Sequence, residues 1–142
     1  MKRLIMGFAV VGLIALSPRS EAKLSASLAP PSLYRMLSQE IGLASWYGHE
    51  LQGSLTASGE AFDLNALTAA HRTLPFGTII RVTNLENWKT ILLRVNDRGP
   101  HLGRRLLDLS WGAAKRLEFL ESGTARVRME VVACAPYLLA NQ

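Results

Sequence analysis

The chain has 142 residues, of which 49% are hydrophobic and 19% charged, and its formal net charge is +5. This length accommodates one domain and little else. The basic residues do not cluster with aromatic ones, so nucleic acid is not expected as a partner. His49-Glu50 lacks the second histidine of a zinc-binding HExxH motif. Because the histidines and the cysteine show no other spacing typical of metal ligands, no metal or cofactor is expected.

Residues 1–22 are typical of a secretory signal. Lys2-Arg3 is followed by thirteen uncharged residues, 4–16, and Ser20-Glu21-Ala22 has small residues at the two positions that a signal peptidase reads. At about 1.5 Å per residue the apolar run covers about 20 Å of a roughly 30 Å hydrocarbon core, which disfavours a spanning helix. We expect cleavage after Ala22 and a periplasmic or secreted protein, with an uncleaved anchor as the alternative.

The one cysteine, Cys134, lies near the C-terminus. Because no cysteine follows the apolar run at 4–16, no lipid anchor is expected. A single cysteine cannot form an internal disulfide, so the hydrophobic core must hold the fold by itself. We expect a monomer with an unpaired Cys134, and an intermolecular disulfide is the alternative.

The rest of the chain divides by composition. Small residues and the pair Pro30-Pro31 predict a linker at 23–40, followed by a folded domain at 41–132 and a tail at 133–142. β-branched and alternating patterns predict strands at 41–47, 78–83, 90–95 and 125–131. Ser110 is placed to cap a short helix at 111–120. Short strands separated by glycine and proline, with one or two short helices, indicate an all-β fold, a small barrel rather than a sandwich.

Three polar side chains stand where acid–base or sugar-binding chemistry is feasible, and each has a plainer alternative. Asp97 follows a predicted strand and precedes Arg98-Gly99-Pro100, so its carboxyl could project over a groove or bond its own turn. Glu60 follows Ser58 and Gly59 in a loop that a sugar could approach, or it is a solvated surface residue. His71 ends a predicted strand and could orient a carboxylate, bind a substrate hydroxyl or be a buried structural histidine.

Seven short motifs occur in a specific order: ASWYG (44–48), TASGE (56–60), LTAAH (67–71), LPFGT (74–78), VTN (82–84), NDRGP (96–100) and DLS (108–110). In this order and at these spacings they resemble the RlpA (rare lipoprotein A) family over residues 42–132. The resemblance implies a six-stranded double-psi β-barrel, as in expansins. It also implies lytic transglycosylase activity on peptidoglycan glycan strands, preferring strands stripped of stem peptides. The catalytic residues it implies are Asp97, Glu60 and His71.

Other residues are assigned to the substrate groove or to the fold. Trp46, Tyr47, Ser58 and Arg98 are expected to bind substrate, although core packing is the alternative for the aromatic residues and loop anchoring for Arg98. Asp63 and Asp108 are expected to be structural, in a turn and next to the helix cap. The sequence departs from the family at Leu51-Gln52, where Phe-His is usual, and at His101, where Phe is usual.

The residues leave three functions open. A lytic transglycosylase needs one acid–base group, whereas a hydrolase of the same bond generally uses two carboxylates. An expansin-like protein that binds and loosens wall glycan needs neither. The presence of both Glu60 and Asp97 favours an enzyme.

Overall fold

The structure, a computed structural model, describes residues 39–134. The predicted signal at 1–22, nearly all of the linker and most of the tail lie outside these residues. Among the described residues no helix is long and apolar enough to cross a membrane.

Six strands close into one barrel. They are β1 (Gln39–Trp46), β2 (Thr68–Ala70), β3 (Ile79–Asn84), β4 (Thr90–Asp97), β5 (Leu107–Leu109) and β6 (Thr124–Ala133). Around the barrel their order is β1-β5-β2-β4-β3-β6. The pairs β1/β5 and β2/β4 are parallel and the other four pairs are antiparallel. Because the sheet is closed, each of the six strands has a paired neighbour on both sides.

Strand alternation builds the core. Along β6, Ala125, Val127, Met129 and Val131 are buried, while Arg126 between them is exposed. This period of two places one face of the strand inside the barrel. The other strands add buried residues to the same cluster, among them Ala44, Ile80, Val82, Leu93, Val95, Leu107 and Leu109.

The predicted strands are confirmed with shifted ends. β1 begins at Gln39, two residues before the predicted start of this strand at 41, and Gln39 pairs with Glu130 of β6. The reason is that Gln39 and Glu40 are exposed and carry no apolar signal. β5 was not predicted as a strand, because its three residues show no period, and the equally short β2 was expected only as the strand end before His71.

A short helix, α1 (Trp111–Arg116), follows β5. Its N-cap is Ser110, whose Oγ accepts a hydrogen bond from the backbone N–H of Ala113 at 3.2 Å, as predicted. The helix ends at Arg116 rather than at 120. The Leu117 carbonyl instead accepts hydrogen bonds from the side-chain amides of Asn84 (2.9 Å) and Asn87 (3.0 Å).

An irregularity in the β2/β4 pairing lies beside the candidate catalytic residues. Ala69 pairs with Val95, but Ala70 pairs with Asp97, so Asn96 is an extra residue in β4. Such bulges re-aim side chains and are frequent next to active sites. Ala70 also pairs with Asp108 on its other side, so one small residue separates the two aspartates in the sheet.

Candidate active site

Asp97 ends β4, and its half-buried carboxyl is held by three donors. Oδ1 accepts hydrogen bonds from the backbone N–H groups of Ala57 (2.9 Å) and Arg98 (2.8 Å). Oδ2 accepts one from the Tyr47 hydroxyl at 3.3 Å. The bond from Arg98 is the local turn contact that the sequence suggested. The other two bring residues 40 and 50 positions away to the same carboxyl.

Tyr47 contributes a neutral donor. It follows β1, where its backbone N–H bonds the Leu109 carbonyl at 2.9 Å, and its ring packs edge-on against Phe62 with centroids 5.4 Å apart. Burial raises the pKa of its hydroxyl well above the usual value, and the negative charges of Asp97 and Asp108 raise it further. The hydroxyl therefore stays protonated and donates a hydrogen bond to Asp97.

Glu60 is fixed by an ion pair. Arg94 Nη1 lies 2.6 Å from Oε1 and Nη2 lies 2.9 Å from Oε2, and the Asn96 side-chain amide donates to Oε2 at 3.3 Å. These hydrogen bonds, the one from Arg94 foremost, lower the pKa of the Glu60 carboxyl. Although exposed, Glu60 is thus an oriented carboxylate rather than a freely moving surface side chain.

Arg94 and Asn96 were not identified as site residues from the sequence. They stand two residues apart on β4, so they project toward the same region, and both contact Glu60. An arginine within a β-branched and leucine-rich strand was the available signal. Its partner could not be recognised because Glu60 lies 34 residues earlier in the chain.

His71 directly follows β2 and is buried, with 6% of its surface exposed. Its backbone N–H bonds the Asp97 carbonyl at 3.2 Å. Its Nδ1 accepts backbone N–H groups from Thr73 (3.2 Å) and Leu74 (3.0 Å). Because Nδ1 is an acceptor, the neutral imidazole carries its proton on Nε2. His71 is therefore a buried, hydrogen-bonded histidine that also adjoins Asp97.

Arg98 anchors the loop that follows His71. Its Nη1 donates to the carbonyls of Leu74 (2.9 Å) and His71 (3.4 Å), and its guanidinium lies 3.8 Å from the centroid of the Phe76 ring. This is the loop-anchoring role that the sequence offered as the alternative to substrate binding.

Two further predicted groove residues have structural contacts. Trp46 is partly buried and packs against the core. Ser58 Oγ lies 3.0 Å from Thr56 Oγ1, and the Ser58 backbone N–H bonds the Asn96 carbonyl at 3.2 Å. Ser58 therefore ties the loop of Glu60 to β4.

Of the positions that depart from the family, Gln52 Oε1 accepts a hydrogen bond from the Leu64 N–H at 2.7 Å, whereas His101 is exposed.

The two remaining aspartates, Asp63 and Asp108, both make contacts within the fold. Asp63 Oδ1 accepts the Asn65 N–H at 2.9 Å, which is a turn contact. Asp108 is buried, accepts a hydrogen bond from Ser45 Oγ, and has Arg105 Nε at 3.2 Å from Oδ1. The Arg105 Nε–H is not directed at a hydrogen-bond acceptor, so this contact is an ion pair alone. Within residues 39–134 no group of three acidic, histidine or cysteine side chains could hold a metal ion.

The six strands form a closed barrel with both parallel and antiparallel pairs, and Asp97 lies where β4 ends. This fold is a double-psi β-barrel. Residues 39–129 match the family model described as lytic transglycolase. The chain belongs to this family and, within it, groups with the RlpA proteins.

Relatives named endolytic peptidoglycan transglycosylase RlpA occur in several bacteria. The Pseudomonas aeruginosa PAO1 protein is 54% identical over 97 residues, which cover 68% of this chain and 27% of that protein. The Campylobacter jejuni protein is 54% identical over 91 residues, which cover 64% of this chain and 33% of that protein. The chain thus matches about a third or less of the length of these relatives.

Solved structures agree on the fold. The Streptomyces papain inhibitor superposes with a TM-score of 0.55 at 24% identity, covering 68% of this chain and 96% of the inhibitor. An expansin of Clavibacter michiganensis gives a TM-score of 0.55 at 19% identity, covering 68% of this chain and 51% of the expansin. At these identities the likeness concerns the fold alone.

Proposed function

We propose that the described domain is a lytic transglycosylase that cleaves the N-acetylmuramyl to N-acetylglucosaminyl bond of peptidoglycan and leaves 1,6-anhydro-muramyl ends. The observation that carries this proposal is the Asp97 carboxyl, held by donors from three segments beside the ion-paired Glu60. The names of the relatives, which are endolytic peptidoglycan transglycosylases, support the same reaction.

Asp97 acts first as the acid and then as the base. Because Oδ1 accepts two backbone N–H groups, the transferable proton is carried by Oδ2, whose partner is the Tyr47 hydroxyl. This proton passes to the glycosidic oxygen as the bond from that oxygen to the anomeric carbon breaks. The carboxylate then takes the proton of the muramyl 6-hydroxyl as its oxygen bonds the anomeric carbon. The proton balance closes and no water is consumed.

Glu60 has a different role. A carboxylate offers about four acceptor sites, and Arg94 and Asn96 occupy three of them, which leaves one for a sugar hydroxyl. With both oxygens engaged, Glu60 is poorly placed to be the second carboxylate of a hydrolase, which must act as nucleophile or activate water. This arrangement supports the transglycosylase over the hydrolase. His71 positions the Asp97 backbone through the hydrogen bond from its own N–H to the Asp97 carbonyl.

The substrate also defines the compartment. Peptidoglycan lies outside the cytoplasmic membrane, so a protein that cleaves it must be exported. The basic start and short apolar run of residues 1–22 support export through a secretory signal. We therefore place the mature chain in the periplasm or outside the cell, with glycan strands as its partner.

The test is digestion of amidase-treated sacculi by the mature chain, with the products read by mass spectrometry. The wild type should release 1,6-anhydro-muramyl products. Asp97→Asn keeps the shape but cannot deliver a proton, so release should fall roughly 10²–10⁴-fold while folding and glycan binding persist. Asp63→Asn is the matched control, because an asparagine oxygen can still accept the turn hydrogen bond.

The alternatives give different results in the same assay. Ordinary reducing ends would identify a hydrolase. Binding to sacculi without any release of fragments would identify an expansin-like protein. Normal release by Asp97→Asn would contradict the role assigned to Asp97.

A further inference from the structure

A basic pocket begins directly after Asp97. It is open, with a volume of about 560 Å³. Its lining contains two arginines and one histidine but no carboxylate: Arg72, Arg98, Gly99, Pro100, His101 and Gly103. Gly99 is two residues from Asp97, so their Cα atoms are at most about 7 Å apart. The pocket therefore adjoins the proposed site of bond cleavage.

Both guanidinium groups are oriented by uncharged oxygens. Arg72 donates from Nε to the Pro100 carbonyl at 2.9 Å and from Nη2 to the Gly103 carbonyl at 2.8 Å. Arg98 is held by loop carbonyls through Nη1 and by the Phe76 ring. A guanidinium has five N–H donors, so each group retains donors for a ligand.

Neither charge is neutralised within the described part of the chain. The ion pairs of residues 39–134 use five other basic residues: Arg81, Lys89, Arg94, Arg105 and Arg128. Asp108 is close to Gly99, since a Cβ at Gly99 would lie 3.7 Å from its Oδ2, but its carboxylate is paired with Arg105. A pocket with two hydrogen-bonded guanidinium groups that form no ion pair favours a planar anion, since a carboxylate matches the geometry of guanidinium donors.

Peptidoglycan contains one such anion that depends on processing. The muramyl residue carries a lactyl group whose carboxyl forms an amide with the stem peptide. When the peptide is removed, this group becomes a free carboxylate. We propose, resting on the function proposed above, that Arg72 and Arg98 bind the free lactyl carboxylate of a muramyl residue beside the cleaved bond. Such a contact would give the preference for peptide-free strands, which the resemblance to the RlpA family implies, a chemical basis in this chain, because an amide-linked stem peptide removes the carboxylate.

The experiment compares two otherwise identical soluble glycan fragments made of alternating N-acetylglucosamine and N-acetylmuramic acid. One has free lactyl carboxylates, and in the other each carboxylate is converted to a neutral methylamide. Dissociation constants are measured by calorimetry in the Asp97→Asn background, and cleavage is measured with the otherwise unaltered chain. The carboxylate fragment should bind at least about tenfold more tightly, as expected for a charge-assisted hydrogen bond.

Variants locate the effect in the pocket. Arg72→Gln should reduce the preference to within about twofold, because the charge that the carboxylate needs is gone. Arg126→Gln removes the same charge from an exposed position on β6, a strand absent from the pocket lining, and should keep the preference. Thermal unfolding checks that Arg72→Gln retains the fold. The comparison of the two fragments uses the unaltered pocket, so it tests the proposal even if Arg72→Gln does not fold.

The outcomes separate this proposal from the proposed function. Equal affinity for the carboxylate and methylamide fragments would overturn the carboxylate site, whatever the activity. Tight, carboxylate-dependent binding without any cleavage by the unaltered chain would overturn the transglycosylase and leave the site standing. Failure to bind either fragment would overturn both.

Discussion

Arg94 donates to both carboxylate oxygens of Glu60, at 2.6 and 2.9 Å, and so connects β4 to the loop that also presents the Ala57 N–H to Asp97. The pair fixes this loop relative to Asp97, the proposed acid–base residue. Its side chains are 40% and 46% exposed, so its contribution lies in positioning more than in stability.

Arg94→Gln should therefore affect turnover more than folding. Loss of the ion pair frees Glu60 and loosens the loop, and misplacement of site groups should lower kcat by roughly 10- to 100-fold. Unfolding by urea should change by less than about 1 kcal/mol, as for an exposed ion pair. Arg81→Gln is the control, because Arg81 also forms an ion pair, at 3.9 Å, but with Glu130 on β6 rather than with Glu60. Equal activity of the two variants would argue against the positioning role.

The same pair predicts a pH dependence of stability. Because the pKa of Glu60 is lowered below its ordinary 4.5 in the folded chain, the stabilisation is present above that value and is lost as pH falls through the folded pKa. The wild type should exceed Glu60→Gln in unfolding free energy by up to about 1 kcal/mol at neutral pH. Urea unfolding at stepwise lower pH should show this difference vanish. A difference that grew on acidification would contradict the assignment.

Tyr47→Phe tests the donor to Asp97. The substitution removes the hydroxyl and keeps the ring contact with Phe62. We expect kcat to fall about tenfold with KM little changed, because one hydrogen bond to the acid–base group is lost. In the Asp97→Asn background the same substitution should have little further effect, since residues that act together are not additive. Full additivity in this double-mutant cycle would separate Tyr47 from Asp97.

Asp108→Asn should act through stability. The buried side chain loses its charge opposite Arg105, and we expect a decrease of about 1–3 kcal/mol in the free energy of unfolding. Turnover per folded molecule should stay within about twofold of wild type, in contrast to the roughly 10²–10⁴-fold loss for Asp97→Asn. A comparable loss of turnover in a stable Asp108→Asn would move this residue into the catalytic machinery.

Gly112→Ala tests the packing of α1 against the loop before β2. A Cβ at this position would stand 2.6 Å from the Asn65 carbonyl oxygen, which belongs to the backbone and cannot swing away. We expect a destabilisation of about 1–3 kcal/mol by urea unfolding. Gly48→Ala is the matched control, since the atoms nearest to its Cβ would belong to the flexible carboxylate of Glu50. A change below about 0.5 kcal/mol is expected there.

The sequence by itself determined the long strands and the identity of the candidate acid–base residues. β1, β3, β4 and β6 each carry enough residues to show β-branched or alternating patterns, and all of their ends lie within two residues of the predicted bounds. Ser110 was recognised as a helix cap because that signal is local. Asp97, Glu60 and His71 were predicted as catalytic residues through ordered motifs, which do not require knowledge of their contacts, and their roles stay predictions.

Only the tertiary structure decided how these residues meet. The pairing of Arg94 with Glu60, the bond from Ala57 to Asp97 and the enclosure of Gly112 by Asn65 join residues far apart in the chain. The three-residue strand β5 and the bulge at Asn96 arise from pairing with neighbouring strands. A local sequence pattern indicates whether a segment prefers strand or helix. Which segments become neighbours is set by closure of the barrel, and the chemistry of this site depends on those neighbours.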